Sequence, residues 1–136
     1  MEEALSLGRS ELKMEKAVFA ANGFFSQNAF VSGVRGIEDL QLSYLKEKAL
    51  DVVEIWFNPW KVSYGELVEL FFDLHDPTSK SEEHRQIGTN QSIIFFSNVN
   101  QLKIAKQKKI ELNERFNGEI TTKITPVGDC YAVLKS

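Results

Sequence analysis

The stretch DVVEIWFNPWKVSYGELVELFFDLHDPT, residues 51–78, decides the fold. Its first seven residues are rich in β-branched and aromatic side chains and are stopped by Asn58-Pro59, so Asp51 to Phe57 is expected as a strand. Ser63 and Glu66 then match the capping box, in which each side chain satisfies a free backbone N–H at a helix start. Leu67, Leu70, Phe71 and Leu74 recur at helical spacing and make one apolar stripe. His75-Asp76-Pro77-Thr78 ends that helix, because proline disfavours a helical residue before it.

Toward the N-terminus, KAVFAA (16–21) is a short apolar run closed by Asn22-Gly23, which suits a buried strand ending in a turn. FFSQNAFVSG (24–33) could open a helix capped by Ser26 and ending near Gly33. Beyond Gly36, LQLSYL (40–45) alternates weakly, like a strand. Toward the C-terminus, the polar residues 79–90 read as a surface loop, and SIIFFS (92–97) as a strand buried on both faces. A long helix is expected from Asn98 to Phe116, with Val99, Leu102, Ile110 and Leu112 among its apolar positions and Asn117-Gly118 as its stop. EITTKITP (119–126) alternates as a strand should, and DCYAVLKS (129–136) could add one more. With the weakly alternating 40–45 set aside, the expected order is strand, helix, strand, helix, strand, helix, strand, an α/β or α+β two-layer domain with helices packed on a sheet.

The chain has 136 residues, room for one domain with its own core. The hydrophobic fraction of 43% and charged fraction of 26% are those of a soluble globular protein. The net charge of -3 gives no electrostatic reason to expect nucleic acid as a partner. Lys103, Lys106, Lys108 and Lys109 crowd one helix, read as a solvated face or a phosphate-binding patch. No apolar run reaches the roughly eighteen residues of a membrane span. Residues 1–15 carry mixed charge and no continuous apolar stretch, so they are expected as an extension, and the domain is expected over 16–136 in a cytoplasmic protein. The only thiol is Cys130, which excludes an internal disulfide and any two-cysteine redox cycle within the chain. His75 and His84 have no partners at metal-ligand spacing, so neither a metal nor a cofactor is expected.

Three stretches carry a family likeness. Ala17-Val18-Phe19-Ala20-Ala21-Asn22-Gly23-Phe24-Phe25 is similar to the strand and turn that hold the Gly-Cys-Phe-Trp signature of the A-type peptide methionine sulfoxide reductases. Asp51-Val52-Val53-Glu54, Asn58-Pro59, Val62-Ser63-Tyr64 and His75-Asp76-Pro77-Thr78 resemble that family's acid-Val-Val strand, Tyr-Asp-Pro turn, Ile-Ser-Tyr helix start and His-Asp-Pro-Thr helix end. Arg85-Gln86 and Gly88-Thr89 look like a remnant of its Asn-Arg-Gln-Gly loop. The likeness covers roughly residues 16–126. It implies a ferredoxin-like mixed sheet with packed helices, an α+β two-layer sandwich.

The resemblance also implies a chemistry, the repair of oxidised methionine in proteins. A cysteine thiolate at the end of the first strand attacks the sulfoxide sulfur, a protonated carboxylic acid helps the oxygen leave as water, and two tyrosine hydroxyls hold that oxygen. An aromatic pair grips the methyl group, and a second cysteine with thioredoxin resolves the sulfenic acid. Carried over position by position, most of this fails. Gly23 stands where the nucleophile belongs, and Phe25 replaces the family's tryptophan beside a retained Phe24. Asp51 falls at the family's glutamate, either as a surviving pocket acid or as a solvent-facing strand start. The glycine-rich loop and its tyrosine have no counterpart between Val34 and Asp51, where Tyr44 matches no motif, and Thr89-Asn90-Gln91-Ser92 stands in place of the Gln-Tyr-Arg-Ser run. Cys130 reads as a small buried hydrophobe or, alternatively, as a thiol that keeps the chain active. The expectation is a catalytically inactive member with a vestigial pocket at Phe24, Phe25 and Asp51 for a methionine-containing peptide; the alternatives are a reductase working through Cys130 and a non-catalytic scaffold.

Overall fold

The computed structural model describes residues 14–22, 35–45, 50–74, 77–78 and 92–129. Five strands and two helices are built from them. The strands are β1 (Glu15–Asn22), β2 (Ile37–Leu45), β3 (Leu50–Phe57), β4 (Ser92–Phe96) and β5 (Lys123–Pro126). The helices are α1 (Tyr64–Asp73) and α2 (Val99–Asn113), the second continued by a 3-10 turn at Glu114–Phe116. The sheet order is β2-β3-β1-β4-β5, with β5 parallel to β4 and every other pair antiparallel. Helices packed on a mixed sheet are the α+β architecture expected from the residues.

β1 lies in the middle because its sequence is apolar on both faces. Ala17, Phe19 and Ala21 join one core with Val53, Ile55, Phe57 and the buried face of α1, while Val18 and Ala20 join a second with Leu50, Val52, Ile93 and Phe95. Phe19 stacks on Phe71 of α1 with ring centroids 4.7 Å apart. A strand buried on both sides has no polar face to give to solvent, so its run is continuous rather than alternating.

The turn from β3 to α1 follows from local chemistry. Ser63 Oγ accepts from the Glu66 backbone N–H at 3.1 Å, and Glu66 Oε1 accepts from the Ser63 N–H at 2.8 Å, which is the reciprocal cap read from the sequence. The apolar face of α1 is broader than the expected stripe: Tyr64, Leu67, Val68, Phe71 and Phe72 are buried, while Leu70 and Leu74 are only partly so. Gly36 carries the chain into β2 at φ +100, and a Cβ there would sit 2.9 Å from both Lys61 Cβ and Val62 Cγ1. Glycine is required on both counts.

α2 departs from its expected face. Val99 and Ile110 are 64% and 68% exposed, whereas Gln101 and Ala105 are buried. Gln101 succeeds in the core because both ends of its amide are used: Nε2 donates to the Lys16 carbonyl at 3.0 Å and Oε1 accepts from the Ser97 N–H at 2.8 Å. The helix stops at Asn117 and Gly118, both at positive φ, with the Gly118 N–H closing on the Asn113 carbonyl at 2.8 Å. The strand expected over 119–126 begins only at Lys123, because the backbone N–H groups of Ile120 and Thr121 bond to Asn113 Oδ1 and the Pro77 carbonyl instead of to a strand. The expected helix over 24–33, the loop over 79–90, the tail strand beyond Asp129 and residues 1–13 of the expected extension 1–15 lie outside the described residues, while Glu15 already belongs to β1.

Candidate functional site

Few polar groups are buried among the described residues, and three of them fall on one line across the sheet. β3 starts at Leu50, so Asp51 is its second residue, and the register sets Asp51 beside Tyr44 of β2 on one side and Ala21 of β1 on the other. Ala21 pairs in turn with Ser92 of β4. Ser92 Oγ lies 2.7 Å from Thr122 Oγ1, one residue ahead of β5. Cross-strand partners share a face, and Ala21 belongs to the helix-side core, so the whole row Tyr44–Asp51–Ala21–Ser92–Thr122 points toward the helix layer. Asp51 is 7% exposed, Ser92 4% and Thr122 1%. The reading of Asp51 as a solvent-facing strand start therefore fails. A buried carboxylate is costly unless polar groups surround it, and the fold has gathered hydroxyls at this end of the sheet.

The end of α1 is anchored to the same place. The Thr121 backbone N–H and Oγ1 both donate to the Pro77 carbonyl, at 2.8 and 3.1 Å, and Thr78 is buried. The Pro-Thr half of the helix stop thus sits against the lead-in to β5, beside Thr122. Two loops distant in sequence converge on the row.

Of the expected site residues, only Asp51 lies among those described. Gly23 follows the last residue of β1 in the chain, and it, Phe24, Phe25, Cys130, His75 and His84 lie outside the described residues. Tyr44, which matched no motif in the sequence, is the cross-strand neighbour of Asp51, with 59% of its surface exposed. Ser92 and Thr122 escaped sequence reasoning. Ser92 looks like the polar start of an apolar strand, and Thr122 like one outward position of an alternating one. Nothing in a linear pattern joins two residues thirty apart. Among the described residues no group of three His, Cys, Asp or Glu side chains could hold a metal ion.

The chain is similar to proteins of known kind across most of its length. The family model for peptide methionine sulfoxide reductase matches residues 45–134. Peptide methionine sulfoxide reductase MsrA 1 of Nostoc sp. is 30% identical over 145 residues, covering 93% of this chain and 89% of its own. The MsrA of Streptococcus agalactiae is 32% identical over 136 residues, covering 87% of this chain and 80% of its own. Among solved structures, Mxr1 from Saccharomyces cerevisiae in an unusual oxidized form shares the fold with a TM-score of 0.67 at 21% identity, over 84% of this chain and 72% of that one. The same yeast protein in complex with Trx2 gives 0.61 at 23% identity, over 84% and 76%.

Proposed function

The chain belongs to the peptide methionine sulfoxide reductase family, and from that premise we propose that it is a member which no longer reduces methionine sulfoxide. The observation that carries this reading is the polar row itself. Reducing a sulfoxide to a sulfide takes two electrons as well as two protons. Asp51 could give a proton, and the hydroxyls of Tyr44, Ser92 and Thr122 could hold an oxygen atom, but carboxyl and hydroxyl groups supply no electrons. The electrons come from a thiolate, and the residue after β1, at the nucleophile position, is Gly23. What remains fits binding without turnover: Phe24, Phe25 and Asp51 for a methionine side chain, and a methionine-containing peptide as the weakly held ligand. A thioredoxin-linked cycle is not part of this proposal, since the chain has one cysteine.

The reading takes residues 16–136 as the working domain, 1–15 as an extension to it, and the cytoplasm as its place. No helix among the described residues is long and apolar enough to cross a membrane.

The test is direct. Purified protein is incubated with a peptide carrying methionine-S-sulfoxide and dithiothreitol, and reduced methionine is measured by mass spectrometry. The expected result is no turnover above the protein-free blank. Turnover that disappears in Cys130→Ser would overturn the proposal in favour of a reductase working through Cys130. In an NMR titration with the methionine peptide, shifts at Phe24, Phe25 and Asp51 are expected; a silent site would reduce the protein to a scaffold.

A further inference from the structure

The lysines of α2 do not share one fate. Lys108 turns toward α1 and bonds Glu69, with Glu111 at 3.6 Å. Lys109 Nζ donates to the Thr122 carbonyl at 2.7 Å. Lys106 makes no ion pair among the described residues. Lys106 and Lys109 line an open cleft of about 770 Å³ between α2 and β5, and Lys123 lines it from the β5 side. Ile110 and Ile124 give it apolar surface, Thr125 adds a hydroxyl, and among the described residues no carboxylate lines it. Three cations gathered in one cleft of a chain with net charge -3 are a local reversal of sign.

The shape of the cleft selects the ligand. Five consecutive residues, 121–125, border it, so it runs along the strand rather than closing around a point. β5 is also the last strand of the described sheet, and its outer edge pairs with no other strand there. Such an edge offers N–H and C=O groups to an incoming extended chain, and pockets for alternate side chains then set specificity. A lone phosphate needs a closed cradle of donors, which an open cleft does not provide.

We propose that the α2–β5 cleft docks an extended acidic peptide segment, laid along β5, with its carboxylates at Lys106, Lys109 and Lys123 and its small apolar side chains on Ile110 and Ile124. This surface does not depend on the sulfoxide reading, and its probe contains no methionine.

The experiment uses the full chain and a fluorescein-labelled Glu-Val-Glu-Val-Glu-Val peptide, read by fluorescence anisotropy. Binding is expected at about 20 mM salt and should weaken several-fold by about 200 mM, as exposed charge pairs are screened. The double variant Lys106→Glu/Lys123→Glu should weaken it at least about tenfold, whereas Lys103→Glu, outside the cleft, should change it less than about twofold. Equal binding of the Lys-Val peptide of the same length, or indifference to the double reversal, would overturn the proposal. So would complete displacement by inorganic phosphate at matched ionic strength, which would mark a small-anion site instead. Should the double variant fail to melt cooperatively, amide shifts on the unaltered protein decide: movement at Lys123–Thr125 is required, and movement confined elsewhere refutes the docking.

Discussion

The two helices of this protein are held to the same sheet by opposite means. α1 spends six of its ten residues on burial, four of them Leu, Val or Phe, and rests on Phe19 and Phe57 through aromatic contacts. α2 is fifteen residues long and buries only Gln101 and Ala105. Ala105 and the partly buried Ile104 and Leu112 touch the core, and directed polar links fasten the rest: Gln101 to Lys16 and Ser97, Lys109 to Thr122, Lys108 to Glu69. The helices approach each other at Gly65, where a Cβ would lie 3.1 Å from Lys108 Cε and 3.6 Å from Ile104. Hydrophobic contact is non-directional and scales with area, so α1 could be placed by its apolar face. Hydrogen bonds are worth little net but are costly to leave broken, so α2 is placed by geometry. The polar helix is also the one that borders the basic cleft, through Lys106 and Lys109.

The comparison can be broken most decisively at Phe71. Its truncation in Phe71→Ala should cost about 3–5 kcal/mol by urea unfolding, because the ring is fully buried against Phe19. The same truncation at Ile110 of α2, 68% exposed, should cost less than about 0.5 kcal/mol. Comparable losses at the two sites would mean that α2 packs as α1 does.

A smaller effect is expected at Gln101. Gln101→Ala removes the partners of the Ser97 N–H and the Lys16 carbonyl, and should destabilise by about 1–3 kcal/mol. Gln101→Leu restores the volume but not the bonds, and should recover little. Full recovery by leucine would make the polar fastening irrelevant.

The smallest effect at neutral pH belongs to Tyr64, the first residue of α1. Its hydroxyl is buried and finds no hydrogen-bond partner among the described residues, and burial, with Glu15 nearby as a lesser cause, pushes its pKa well above the ordinary 10.0. A group whose pKa is raised on folding gives stability that is present below its unfolded pKa and is lost as pH climbs above it. The wild type should therefore lose stability from about pH 10 upward, at up to about 1.4 kcal/mol per pH unit from this group. Tyr64→Phe should match or slightly exceed wild-type stability at neutral pH and show a shallower alkaline fall. An unchanged alkaline slope would show that the ring is not held neutral by its surroundings.

Much of the framework could be read without coordinates because its signals are local. Ser63 and Glu66 are three residues apart, and the bonds they make are internal to one turn. Asn117-Gly118 announces a left-handed stop because only such residues take that backbone easily. The errors came where a distant partner overrode the local pattern. Leu70 looked as central to the stripe as Leu67, yet the sheet lies on the side of Val68 and Phe72. Val99 and Ile110 looked like core, yet it is Gln101 that is buried, because the Lys16 carbonyl, eighty-five residues away, gives its amide a partner.

Residue identity and spacing within a few turns of chain suffice for the strand-turn-helix unit of 51–78, for the family and for the lack of a thiol at position 23. Tertiary structure alone decided that Asp51 is buried, that Tyr44 stands beside it, and that Ser92 meets Thr122 at the same end of the sheet. Register does this. Pairing is set by the sum of all cross-strand contacts, and a slip of one residue would turn every side chain to the opposite face.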